Sequence, residues 1–279
     1  MALLSMPAAL AQAPAPGLLD AHDCDVIESY DARWFVPSIL EQFGQMALSG
    51  EWCLNVGGPC AAPYLARWDD PFALTVKLGT GVEATSEEAA AAMNGLDAAM
   101  SLVVDARGVG TEDVARLGPP AVPGSPQVRV AIAPRDEMRA IAREWSAVVP
   151  GLDLEGHAEI GASLEPSCWA VAADVVPTPG RLVAGFDFLD SDLPPETLLL
   201  CGKEEGLNLF IPSDPIGDAS LFDDPWGRRP PDPVLGQQFS ARDETLLRLL
   251  YFERLRAGQP ADEARAAAAA IRDGCGGDR

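Results

Sequence analysis

The chain has 279 residues, with 42 Asp+Glu against 20 Lys+Arg and a formal net charge of −22 at pH 7. The acid excess argues against a nucleic-acid or anionic-membrane partner, because like charge repels a phosphate surface. With only His22 and His157 in the chain, a zinc site built on three imidazoles is excluded and one built on two is nearly so.

The first residues read as a signal-peptide remnant over 1–11, an apolar run ending at Ala9-Leu10-Ala11, followed by a Pro/Ala stretch. No other segment offers the roughly 18 apolar residues that a membrane span needs. We therefore expect a periodic-free extension over 12–70, a main domain over 71–279, and a periplasmic or secreted mature chain without a span. Residues 25–70 hold Tyr30, Trp34, Phe35, Phe43, Trp52, Tyr64 and Trp68 without clear periodicity. They predict an irregular, disulfide-held N-terminal region.

Phe72–Leu78 predicts a strand ending at Gly79-Thr80-Gly81. Thr85-Ser86-Glu87-Glu88 is a capping-box pattern opening a long helix that Gly108 ends. Val128–Ile132 alternates like a strand, and Pro134 opens a helix with Met138, Ile141, Ala142 and Trp145 on one face. Two more strands are expected at 167–172 and 181–188, joined by a Pro/Gly turn. Pro194-Pro195 opens a helix toward Leu209, and two further helices are expected over 240–257 and 260–273. Strands and helices in this order give an α+β fold rather than regular βαβ alternation.

Six cysteines stand at 24, 53, 60, 168, 201 and 275, none in a CxxC pair. In an exported protein an even set reads as disulfides. Many pairings are open; the one we favour joins Cys53 to Cys60, Cys168 to Cys201, and Cys24 to Cys275.

The segment from Cys201 to Asp214 carries the most chemistry. Positions i and i+4 of a helix share a face, so Glu204 and Asn208 point together, with Glu205 beside them and Asp214 beyond Pro212. This is the spacing of a zincin helix. Glu204, Asn208 and Asp214 stand at the ligand positions and Glu205 at the general-base position. Their oxygen donors suit Ca²⁺ or Mg²⁺ better than zinc, so no zinc cofactor is expected. The plainer reading of these residues is the polar face of a helix. His157 paired with Cys201 or Ser163 is a weaker nucleophile dyad, and His22 reads as a solvated residue in the N-terminal arm. An acidic loop follows, with Asp218, Phe222, Asp223 and Asp224, then Trp226, Arg228 and Arg229. The aromatic with its arginine pair has the composition of an interaction epitope.

Cys201 with Glu204-Glu205, the box Ser220-Leu-Phe-Asp223-Asp224 and the run Phe239-Ser-Ala-Arg-Asp243-Glu-Thr-Leu-Leu-Arg-Leu-Leu-Tyr251 resemble the domain-of-unknown-function family twenty-nine twenty-seven, exported proteins of alphaproteobacteria. The likeness covers most of 30–273 and is strongest from 168 to 258. It implies a zincin-like fold, with a small mixed sheet, a central helix and a C-terminal helical pair, whose ligand histidines are absent and which has no assigned activity. Asn208 in place of the usual Gln, a mid-helix Gly206, and Ile211-Pro212 in place of Leu-Gly-Leu depart from the family pattern. The expected function is a non-catalytic binding or assembly protein with a protein partner in the periplasm or cell envelope. The alternative is a periplasmic hydrolase of peptide or cell-wall material, with Glu205 as base on an oxygen-rich metal.

Overall fold

The sheet is made from the runs that alternate in sequence. In a computed structural model, which describes residues 19–32, 38–48, 64–120, 124–147, 152–163, 167–175, 178–211, 239 and 241–275, the strands are β1 (Phe72–Leu78), β2 (Ala115–Leu117), β3 (Gln127–Ala133), β4 (Cys168–Val175) and β5 (Thr178–Asp190). Their order is β2-β1-β3-β5-β4. β1 runs parallel to β2 and β3, β3 runs parallel to β5, and β4 alone is antiparallel, on β5. The fold is thus a mixed α+β fold, as the element order predicts, with a mostly parallel sheet.

Such sheets are covered on both faces, and the side chains of β3 and β5 divide accordingly. Val128, Val130, Ile132 and Leu189 belong to one core. Ala131, Ala133, Ala184, Phe186 and Phe188 belong to a second one on the opposite face. The helices are α1 (Ala21–Asp31), α2 (Ile39–Leu48), α3 (Glu87–Arg107), α4 (Arg135–Trp145), α5 (Leu154–Gly161), α6 (Pro195–Asn208), α7 (Ala241–Leu250) and α8 (Ala261–Gly274). The smaller core takes Met138, Ile141, Ala142 and Trp145 of α4 with Leu154 and Ala158 of α5. Trp169 stacks on Phe188 there, with ring centroids 4.0 Å apart. All other helices share the larger core.

Four sequence expectations change. Among the described residues the N-terminal region holds two helices instead of an irregular lobe: α1 and α2 lie within it, and Ile27, Ile39, Phe43, Leu65 and Trp68 are buried in the larger core. Asp20 and Asp23 form a capping box at the start of α1, a signal hidden by the weak apolar periodicity behind it. His22 therefore lies on a helix, exposed, rather than in an arm. Ser86, not Thr85, is the N-cap of α3, its hydroxyl accepting from the Ala89 amide at 3.1 Å. The helix expected through Leu255 stops at Leu250 because the Arg67 guanidinium donates to the carbonyls of Leu250 and Phe252, at 3.0 and 3.4 Å. Those are the unsatisfied carbonyls of a helix end. The short strand β2 and the helix α5 were not foreseen, one too short and the other too glycine-rich for periodicity to show.

Among the described residues two disulfides hold the chain, Cys24–Cys275 between α1 and the end of α8, and Cys168–Cys201 between β4 and α6. Cys53 and Cys60 lie outside the described residues, as does the reading of residues 1–11.

The closest helix contact is between α3 and α6, where Gly95 faces Gly202. A Cβ on Gly95 would lie 2.4 Å from the Leu199 carbonyl oxygen, and one on Gly202 would lie 2.4 Å from that of Ala92. Both obstacles are backbone, so the helices must separate to admit a methyl group. Gly95→Ala is therefore expected to destabilise the fold by on the order of 1–3 kcal/mol, although alanine is the better helix former by about 1 kcal/mol. Urea denaturation of the variant checks the sign; a gain in stability would refute this reading of the contact.

Candidate functional site

Helix α6 is placed by three unrelated constraints. Pro195 at its first turn pre-sets the backbone, the Cys168–Cys201 bond ties its middle to β4, and the Trp68 indole donates to the Leu209 carbonyl at its end, at 2.6 Å. Its apolar stripe Leu198, Cys201, Leu209 lies in the larger core, and Glu205 falls on the same stripe. The helix predicted to carry the chemistry is thus a fixed and largely buried element.

Of the predicted residues, the structure brings Glu205 and Asn208 together. The Asn208 Nδ2 donates to Glu205 Oε2 at 3.2 Å, and Glu205 is buried. Glu204 and Asn208 are the two half-buried positions in the second half of the helix, on one edge as their spacing requires. Asn208 Oδ1 is buried without a hydrogen bond among the described residues. Lys203, which directly precedes Glu204, is also mostly buried, and burial pushes its ammonium below the usual lysine range. Asp214 and the whole proposed interaction loop, Asp218, Phe222, Asp223, Asp224, Trp226, Arg228 and Arg229, lie outside the described residues. Among the described residues no three His, Cys, Asp or Glu side chains form a metal-binding group.

The nucleophile dyad is not assembled. His157 is on α5, which packs on the opposite face of the sheet from α6, while Cys201 is a disulfide half. The Ser163 hydroxyl donates to the Ile160 carbonyl at 2.6 Å.

One acid was missed. Asp187 sits mid-strand in β5, between Val130 of β3 and Ala170 of β4. It is fully buried on the face that α3 and α6 cover, and neither carboxylate oxygen has a hydrogen-bond partner among the described residues. Burial holds this carboxyl well above the usual carboxylate range, and the adjacent Phe188 amide opposes the shift only in part. Two anchors locate it against α6. A Cβ on Gly185 would touch the Leu209 side chain, and Cys168, the ladder partner of Leu189, is bonded to Cys201. Eight helical residues rise about 12 Å and four strand residues about 13 Å, so the two elements run in step, antiparallel. The turn of α6 that carries Glu205 therefore lies over the strand segment that carries Asp187. The signal was present in the sequence: one acid inside the run Leu182–Leu189, where both faces of a strand are buried.

The donor set does not fit a catalytic zinc. It holds no imidazole, its amide is turned to the neighbouring carboxylate, and its remaining donors are hard oxygens. A shallow cleft of about 430 Å³ elsewhere is lined by Asp69, Pro179, Arg181, Ala257 and Gly258, far in sequence from α6. No helix among the described residues is long and apolar enough to cross a membrane. Comparison with known proteins found no matching family model, no matching curated protein and no matching solved structure.

Asp187 sets a pH dependence of stability. The unfolded chain releases this proton near pH 4, whereas the folded protein keeps it to a higher pH. Between those values the native state holds one more proton, so stability falls as pH rises. Asp187→Val, close in size and without a charge, is expected to remove that slope and to add about 1–3 kcal/mol at pH 8. Denaturation curves at pH 5 and pH 8 measure it; an unchanged slope would mean that Asp187 is not the group responsible.

Proposed function

We propose that the chain is an exported, non-catalytic binding or assembly protein on a zincin-like scaffold that has lost its catalytic metal, with a protein partner in the periplasm or cell envelope. The observation that carries this reading is the state of Glu205. A general base must reach, directly or through one water, the proton that it removes. Glu205 is instead packed inside the protein and accepts from Asn208, so the base position and the second ligand position satisfy each other. The two disulfides support the exported part of the reading, because such bonds persist in oxidising compartments. The resemblance of 168–258 to an exported family, together with the charge of −22, is consistent with it.

A second reading, a hydrolase with Glu205 as base on an oxygen-rich Ca²⁺ or Mg²⁺ site, is favoured by one observation. Asp187 is a carboxyl that costs stability where it stands, and proteins retain such groups at functional sites more often than elsewhere.

Elemental analysis of the purified protein, with melting curves in Zn²⁺, Mn²⁺, Ca²⁺ and Mg²⁺ and a peptide and cell-wall hydrolysis screen before and after chelation, separates the two. The binding-protein reading expects no stoichiometric metal, no shift in Tm and no chelation-sensitive turnover. It also expects Glu205→Gln to leave stability within about 1 kcal/mol, since the amide still offers an oxygen to Asn208. Stoichiometric metal with turnover lost in Glu205→Gln would establish the hydrolase instead.

A further inference from the structure

On the far side of the larger core a tyrosine lies between two arginines. Tyr251 follows α7 directly, Arg67 belongs to the segment before β1, and Arg107 ends α3. The Arg67 Cζ is 5.5 Å and the Arg107 Cζ 5.4 Å from the Tyr251 ring centroid. Guanidinium planes held on an aromatic ring are attracted by its face and are fixed in orientation.

The two arginines differ in what they already bind. Arg67 donates from Nε to Asp69 at 2.7 Å and caps α7 from Nη1. Arg107 has no carboxylate partner among the described residues, and its Nη1 is buried without a hydrogen bond. The Tyr251 hydroxyl is likewise buried and unpartnered. Other described arginines also lack a carboxylate, but Arg107 combines that lack with a buried guanidinium nitrogen that has no hydrogen bond. Unmade hydrogen bonds at buried donors cost free energy, and at a charged donor more. Arg107 as a whole is only half-buried, so the side chain reaches from the solvent edge to a buried Nη1.

We propose that Arg107 and Tyr251, with Arg67 beside them, form a binding site for a single oxyanion, a carboxylate or phosphate group. The Arg107 fork takes two of its oxygens, as such planar donors do, and the Tyr251 hydroxyl donates to the anion. Arg67 is neutralised by Asp69 and contributes mainly by holding the ring. The phenol stays a donor throughout the physiological range, since burial pushes it up to about 12, only partly offset by the two arginines and by the Trp68 backbone amide beside its oxygen. Repulsion by the protein's net charge is screened beyond about 8 Å at physiological salt, so the local pair of guanidinia governs the site. This inference does not depend on whether the protein is an enzyme, because it uses no residue of α6.

The test is a titration of the full protein with inorganic phosphate and, separately, with acetate, against sodium chloride at matched ionic strength. It follows the Arg107 side-chain Nε–H resonance, assigned by its loss in Arg107→Gln, and the melting temperature. A saturable shift of that resonance with a saturable rise in Tm is expected for at least one of the two anions, and which one responds identifies the chemistry. Tyr251→Phe, which keeps the ring, is expected to weaken binding about ten-fold. Arg107→Lys, which keeps the charge without the fork, is expected to do so by a similar factor. Absence of saturation with both anions would overturn the site, and so would a rise in Tm that persists unchanged in Arg107→Gln.

Discussion

The structure depends on how closely α3 and α6 approach. With Gly95 against Gly202, backbone meets backbone, and at Gly206 only the Leu96 and Ala99 side chains stand between the two helices. Each glycine inside a helix gives up about 1 kcal/mol of helix propensity, and the return is a contact in which α6 has no freedom to slide or roll. Small residues permit the same close approach where helices pack in membranes, but here the pair is pressed against a sheet. The disulfide from Cys201 to β4 and the indole bond from Trp68 to Leu209 then fix what remains of its motion. Every polar group on α6 is consequently held where the backbone puts it, including two that the core would otherwise exclude, Glu205 and Lys203.

A second constraint comes from burying charge in a strongly acidic chain. Asp23 is buried at the start of α1, where it accepts from the Thr245 hydroxyl at 3.0 Å and from Arg248 at 2.9 Å. Its own backbone amide donates to Asp20 in the cap. The buried carboxylate is thus supplied with donors, and it joins α1 to α7 across more than two hundred residues of sequence. Asp190 is treated alike, bonded to Arg135 at 3.0 Å on the opposite face of the sheet. The rule that buried charges are paired thus holds for Asp23 in α1 and for Asp190 at the end of β5, and it fails at Asp187, three residues from Asp190 on the same strand.

Much of this was legible in the sequence because it rests on local periodicity. The alternation of Val128, Val130 and Ile132, the one-sided Met138–Trp145 helix and the Pro195 start of α6 are all short-range patterns, and the elements lie where these patterns put them. The pairings Cys24–Cys275 and Cys168–Cys201 are present as favoured. What the sequence hid was set by long-range partners. Residues 39–48 form a helix because the whole core closes over Ile39, Phe43 and Met46. The end of α7 is set by an arginine nearly two hundred residues away. The parallel pairing of β3 with β5 leaves no local trace at all. Glu205 and Asn208 were found by their helical spacing; Asp187 was not, because a strand acid shows its cost only once both faces are known to be covered.

Two of the places where buried polar groups lack a partner among the described residues do so in opposite ways. At Asp187 an acid sits in the core without a donor; at Arg107 and Tyr251 donors sit at the edge of the core without an acid. Natural sequences agree with their structures almost everywhere, and the exceptions concentrate where something other than stability is being kept. The two exceptions cannot repair one another, because Asp187 lies in mid-strand beneath α6 while Tyr251 lies beyond the end of α7. Each must therefore be answered by something that reaches it separately, a proton in the first case and an anion from outside in the second. A proton is always available, so the buried acid needs no ligand to exist. The arginine and the tyrosine have no such internal remedy, and it is their side of the molecule that the physics leaves open to a partner.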